Sequence, residues 1–401
     1  MNSLLNNSAV ALLLAGSLVW GADELLPYPL YRARSRAMGG ARVAVGGHQE
    51  SALSNPAFNA DYRRLALTIP AAGLRLDHTF FSFLEFLEEN REEFDREESS
   101  DEGRSEQFDK LLREVDTKWY GMGTDLFDAV VHFRGLSVAL RNRFSVDFSV
   151  NRGLLFPFVV GNYGQVRELS VGYGRSLTDG LRVGVAAKAL VQRKKKVAVA
   201  SNSVGTIDSN FWKIPEESWQ RTTGLDAGLL LKVFGNGELG CSVRDIGYSI
   251  EGRDRPEVTV GSLWRLRHPP PGEGGMLGSV HLAADYADAL NPGPELSKVK
   301  LGVETEWNPL PWRLLQIFLR GGLDGGYPTF GVGTRILGLV FLDYTTFAEE
   351  GGAYAGQKEV RRHLIAGKIT LDFNRRKKKQ SEKRPSPEEE EPAEEVPSAQ
   401  E

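Results

Sequence analysis

The chain has 401 residues, a formal net charge of −4 and one cysteine. That balance carries no signature of nucleic-acid binding, and a lone Cys241 excludes an intramolecular disulfide. Length alone suits two or three soluble domains, but one closed barrel takes up as much chain without a compact interior.

Residues 1–21 read as an export signal, with Ala9 to Val19 as its apolar core and Val19 and Gly21 small enough for a cleavage site. Met1 to Asn7 contributes no Lys or Arg to the charged region that usually precedes such a core. No later stretch approaches the ~20 apolar residues of a spanning helix. A second entry into a membrane therefore has to use a barrel, because lipid offers no partner to open backbone groups.

Residues 22–61 form the next unit. From Arg32 to Ala60 they are small, Gly-rich and only mildly apolar, which makes a poor strand and a poor independent core. The stretch carries Met38-Gly39-Gly40-Ala41, Val43-Ala44, Ser51-Ala52 and Asn55-Pro56-Ala57. Glycines allow close backbone packing, and Asn-Pro is a turn that stops regular structure. Arg32, Arg34, Arg36 and Arg42 are expected to pair with Asp147, Glu168, Asp226, Glu304 or Asp343 of the following segments.

From residue 62 to Phe373 one pattern repeats, a segment of about ten residues that is apolar on one face and polar on the other. In Lys298 to Trp307, Val299, Leu301, Val303 and Trp307 oppose Lys298, Lys300, Glu304 and Glu306. A strand turns successive side chains to opposite faces, so these are strands. They are expected near 62–70, 127–134, 136–148, 166–175, 181–193, 223–234 and 238–249. Further strands are expected near 256–266, 277–287, 298–307, 312–322, 327–336, 339–347 and 360–373, about fourteen in all, an even number as bacterial barrels require.

One alternating strand fits a soluble sandwich equally well. The connections separate the two. Those after even-numbered strands are tight or rich in Gly and Pro: Gly135, Thr178 to Gly180, Gly235 to Gly237, His268 to Gly275, Asn308 to Pro311 and Leu337-Gly338. Those after odd-numbered strands include the long polar ones, 71–126, 149–165, 194–222, 288–297 and 348–359. A barrel sorts its loops this way and a sandwich has no reason to. An Arg or Lys facing lipid at mid-membrane costs ~2–4 kcal/mol, so the charged faces belong to the lumen. The expected fold is an all-β transmembrane antiparallel barrel of about fourteen strands over 62–373. Segments from 312 to 345 are apolar on both faces and are expected to pack on something inside.

The motifs at 38–57 resemble those of the FadL-like superfamily of outer-membrane proteins, nearest its PorV-like and TraF-like branches. The resemblance extends to Phe373 by architecture alone. It implies that residues 22–61 are an N-terminal hatch folded into the lumen, with Gly39, Gly40, Asn55, Pro56 and Ala57 as its marked residues. It also implies a Gram-negative-type outer membrane as the location. Two functions follow from it: uptake or binding of hydrophobic small molecules, or a PorV-like scaffold or shuttle in an envelope secretion or assembly machine.

Phe80 to Val115 reads as interrupted helix, expected outside the cell. Its aromatics Phe80, Phe81, Phe83 and Phe86, with Phe211 and Trp212 of a second polar loop, are the candidate ligand-binding residues. Residues 374–401, basic from Arg375 to Lys379 and then acidic and Pro-rich, read as a disordered periplasmic tail. Expected partners are outer-membrane lipid, a hydrophobic small molecule, and a periplasmic or secretion-machine protein at the tail. Dispersed histidines and the lack of a nucleophile elbow or phosphate loop give no catalytic residue, metal or cofactor to expect.

Overall fold

The computed structural model describes residues 33–47, 49–77, 119–151, 158–200, 219–247, 256–267, 276–310, 314–350 and 359–373, with Thr79, Glu85 and Glu88 singly. The expected export signal, Arg32, the aromatics at 80–86, Phe211, Trp212 and the expected tail lie outside the described residues.

Fourteen strands follow in order: β1 (Ala66–Asp77), β2 (Trp119–Phe133), β3 (Leu136–Asn151), β4 (Phe158–Ser176), β5 (Leu181–Ala200), β6 (Trp219–Val233) and β7 (Gly237–Ile246). Then come β8 (Glu257–Arg267), β9 (Leu277–Tyr286), β10 (Val299–Trp307), β11 (Leu315–Asp324), β12 (Tyr327–Ile336), β13 (Val340–Glu350) and β14 (Glu359–Asp372). Each pairs antiparallel with its sequence neighbours, and β14 closes on β1 through Leu67 opposite Leu371 and Ile69 opposite Ile369. Closure leaves no open edge, which is what lets strands span lipid.

The faces divide as alternation requires. Leu169, Val171, Tyr173, Leu301 and Val303 are exposed on the outer surface. Glu168, Ser170, Arg182, Lys188 and Glu304 are buried on the inner one. Lys300 also turns inward, where its ammonium pairs with Asp324. Among the described residues, inner charges are matched across neighbouring strands and, at Lys188 and Arg320, also across the next strand but one. Arg141 and Arg143 meet Glu168, Lys188 meets Asp226 and Asp245, and Arg320 meets Glu304 and Asp343.

The short connections gather at one end. Arg134-Gly135 and Leu337-Gly338 turn with both residues at positive φ, 51° and 83° in the first pair and 51° and 67° in the second. That backbone matches the right-handed twist of the strands it joins. At the opposite end the wall is uneven. β2 to β6 run 15 to 20 residues, whereas β7 to β13 run 9 to 11.

Several stretches expected as loop are therefore strand. The connections that remain are 78–118, 152–157 and 201–218 in place of 71–126, 149–165 and 194–222. Facial alternation weakens beyond the apolar band, but the hydrogen-bond ladder continues there between paired neighbours, as from Asn151 opposite Phe158.

Ahead of β1 lie a short helix, α1 (Ala33–Ala37), and two 3-10 turns, Gln49–Leu53 and Pro56–Asp61. Another short helix, α2 (Glu295–Lys298), sits between β9 and β10.

Candidate functional site

The N-terminal segment lies inside the barrel and follows its inner wall in descending strand order. α1 packs on β11 to β14. The Ala33 carbonyl accepts from Thr345 of β13 at 3.0 Å, and the Ala37 carbonyl accepts from Thr329 of β12 at 3.0 Å. Arg36 pairs with Asp324 of β11 at 3.0 Å and with Glu349 of β13 at 2.8 Å, its guanidinium 4.8 Å from the centre of the Phe347 ring. Among the described residues, α1 is thus what the inner side of β11 to β13 packs on.

Arg34 reaches Glu304 of β10 with two hydrogen bonds, at 2.7 and 2.6 Å. Arg320 donates to the same carboxylate at 2.8 Å, and His281 Nδ1 lies 3.4 Å from it. Two residues of the next stretch give main-chain amides to one carboxylate of β9: Arg42 and Val43 donate to Asp285 at 2.6 and 2.9 Å. The Arg42 side chain pairs with Glu257 of β8.

Asn55 caps the second 3-10 turn. Its Oδ1 accepts from the Ala57 amide at 3.1 Å, and Pro56 supplies the fixed φ of the first position of the turn. Its amide nitrogen donates to the Val43, Leu229 and Cys241 carbonyls at 3.0, 3.1 and 3.3 Å, which ties the hatch to itself, to β6 and to β7. The turn then passes β5 and β4. Arg182 holds Asp61 at 2.6 Å, and fully buried His132 of β2 meets Asn59 at 3.1 Å while stacking on Tyr62, ring centres 4.1 Å apart. The chain enters β1 having passed most of the perimeter.

Such contact needs a wall with side chains missing. A Cβ on Gly240 would lie 2.8 Å from the Val43 carbonyl oxygen, and one on Gly302 would lie 2.7 Å from the Met38 Cβ. Cβ atoms on Gly184 and Gly228 would press into Pro56 and Asn55. On the hatch side, Gly39 has φ of +64°, and a Cβ there would run into the Leu301 and Leu323 carbonyls. Gly40 shares the left-handed backbone at +85°. Both positions therefore need glycine.

Of the four arginines, Arg34 takes one of its expected partners, Glu304. Arg36 and Arg42 choose Asp324, Glu349 and Glu257 instead. Glu168, Asp226 and Asp343 are taken by cations of the wall itself. The wall residues that sequence reasoning missed include Asp324, Glu349, Glu257, Asp285, Thr329, Thr345 and His132. Only Asp285 had a signal, its inward position on the same strand face as His281.

An apolar outer band and a charged, plugged interior make this a membrane barrel. Fourteen strands behind a segment folded into the lumen are also the architecture that the FadL-like resemblance implies. No protein-family profile and no curated protein matches the chain. Similar solved structures include the Pseudomonas putida toluene transporter TodX, at 10% identity, covering 87% of this chain and 98% of that one, with a TM-score of 0.42. The monoaromatic hydrocarbon channel CymD is 11% identical over 84% of this chain and 96% of its own, with a TM-score of 0.41. CdiB from Acinetobacter baumannii is 11% identical over 77% of this chain and 60% of its own, with a TM-score of 0.31. At these scores the likeness is one of barrel outline, and the architecture rests on strand order and plug.

Proposed function

We propose that this chain is an outer-membrane barrel of FadL-like organisation that takes up or binds hydrophobic small molecules at its long-loop end. The observation that supports this reading is topological. The connections 78–118 and 201–218, which hold Phe80, Phe81, Phe83, Phe86, Phe211 and Trp212, leave the barrel at the same end, above the taller wall of β2 to β6. Below them the lumen is charged and filled by the hatch, a poor path for an apolar solute. The solute passes when the hatch shifts or where the wall opens.

A second reading, a PorV-like scaffold or shuttle, is favoured by how firmly the hatch is held. Ion pairs join it to five strands, β5, β8, β10, β11 and β13, and a plug that never moves suits a protein that carries no flux.

Replacing Phe83 and Phe86 with Ala separates the two. Uptake of a fluorescent hydrophobic probe by whole cells is expected to fall, with the barrel still assembled in the outer membrane. Normal uptake in that variant, together with loss of a co-purifying protein on removal of 375–401, would establish the scaffold instead.

A further inference from the structure

We infer that the outer surface of β4, β5 and β6 carries a binding site for a phosphorylated lipid headgroup of the outer leaflet. The inference rests on the outer-membrane reading above, with the long-loop end facing outward.

The outward residues of β4 are Arg175, Tyr173, Val171, Leu169 and Arg167, in order from the short-turn end. Eight residue steps separate the two arginines, about 26 Å of strand at ~3.3 Å per residue, or about 20 Å along the membrane normal for a tilt near 40°. That is close to the apolar height of an outer-membrane barrel, so Arg167 stands at the headgroup level of the external side. The strands do not stop there. β4 continues back to Phe158 and β5 on to Ala200.

Register sets the neighbours of Arg167 in two rows. One row reads Asn142, Arg167, Val191, Arg221, and the next reads Phe144, Gln165, Arg193, Trp219. Trp219 has both guanidiniums near its ring, Arg167 at 5.1 Å and Arg193 at 4.7 Å from the centre. Arg193 also donates to Gln165 at 2.9 Å, and Gln165 donates to Asn142 at 3.3 Å. Three arginines from three adjacent strands thus lie in two neighbouring rows, Arg167 and Arg193 over an aromatic that itself prefers the membrane interface and Arg221 one strand beyond in the row of Arg167. Neither row contains a carboxylate.

A guanidinium fork matches phosphate oxygens, and an anionic membrane surface is worth about 1 kcal/mol per nearby Arg or Lys. The cluster is not part of a uniform basic girdle. Among the described outward positions of β8 to β12, this edge carries Val258, Tyr286, Val299, Leu323 and Pro328, with no Lys or Arg on those outer faces. One side of the barrel is therefore built to hold an anion at the lipid surface. The Trp219 ring beside it suits a ligand whose acyl chains lie along Leu169, Val171 and Leu225.

The test uses the purified full-length protein and native mass spectrometry, with bis-phosphorylated lipid A as probe and its dephosphorylated form as reference. Wild type is expected to retain the phosphorylated probe in preference. Arg167→Gln with Arg193→Gln and Arg221→Gln is expected to weaken retention at least about tenfold, a shift of ~1.4 kcal/mol. Arg134→Gln with Arg175→Gln, at the other end, is expected to change nothing. Millimolar inorganic phosphate is expected to leave the lipid bound.

Equal retention by the triple variant, equal loss in the control, or displacement by free phosphate would each overturn the proposal. If the triple variant does not assemble, Arg221→Gln alone decides, with a loss of about threefold expected and no loss contradicting it. Fractionation of wild-type cells keeps the two levels apart. A chain absent from the outer membrane defeats the underlying reading, whereas a chain present there with unchanged lipid retention defeats only this site.

Discussion

Asn55 commits its side chain to four main-chain groups: one in its own turn, one in the earlier hatch stretch and two in the wall. Asn55 itself is fully buried, two of the bonds are buried and two part-buried, so removing it leaves carbonyls short of a donor. The amide has two hydrogens for its three carbonyls, so about three full bonds are lost, and Asn55→Ala is expected to destabilise the hatch by about 3 kcal/mol at roughly 1 kcal/mol per bond. The measure is the temperature at which the compact, heat-modifiable form is lost on gel electrophoresis. Glu304 is the matching electrostatic centre. Glu304→Gln removes the charge from between Arg34 and Arg320, and a broken buried pair costs about 3–5 kcal/mol. Because Arg320 keeps Asp343 and Arg34 keeps the Gly46 carbonyl, the lower end is expected. Adding Arg34→Gln should then cost less than it does in the wild-type background, a coupling that a double-mutant cycle reads directly. Sequence alone marked Asn55-Pro56-Ala57 and the arginine arm, but it could not pair them. Alternation says which residues face inward and nothing about which strand the arm passes. Hence Glu168, expected as a hatch partner, is held by Arg141 and Arg143, its neighbours on the same inner face.

At the scale of elements, wall and hatch are complementary because glycine in one or both leaves room for close approach: Gly184 and Gly228 at Asn55-Pro56, Gly302 at Met38, Gly322 at Gly39. Gly184 and Gly228 sit on adjacent strands, opposite each other in register, and both face the Asn55-Pro56 turn. Gly228→Leu is expected to leave the barrel assembled but to unseat that turn, raising ion conductance in planar bilayers above wild type. Gly180→Ala, where an added Cβ meets nothing within 4 Å, is the control and is expected to conduct as wild type does. Conductance unchanged in Gly228→Leu would mean that the turn does not depend on that space. The strands themselves were legible where one face meets lipid: the expected segment at 327–336 is β12, with the same limits. They were not legible beyond the band. At the outer ends of β4 and β5 the sequence itself, with Gly161, Asn162 and the lysines at 194–196, follows no apolar alternation. Pairing between neighbours, which a single segment does not display, extends those strands.

For the whole molecule, the circuit of the hatch fixes what the lumen can do. A segment bonded to β13, β12, β11, β10, β9, β8, β7, β6 and β5, and then to β2, is held from nearly every direction at once. Displacing one contact leaves the others in place, so unseating one turn opens a partial gap and only loss of the whole segment opens the lumen fully. The central claim is that residues 32–54 close the barrel. Its most direct measurement is single-channel conductance of the chain lacking 32–54, reconstituted in planar bilayers after heat-modifiable migration has shown the barrel to be assembled. Long-lived openings far above the wild-type level are the expected result. An assembled barrel whose conductance equals that of the full chain would contradict the claim.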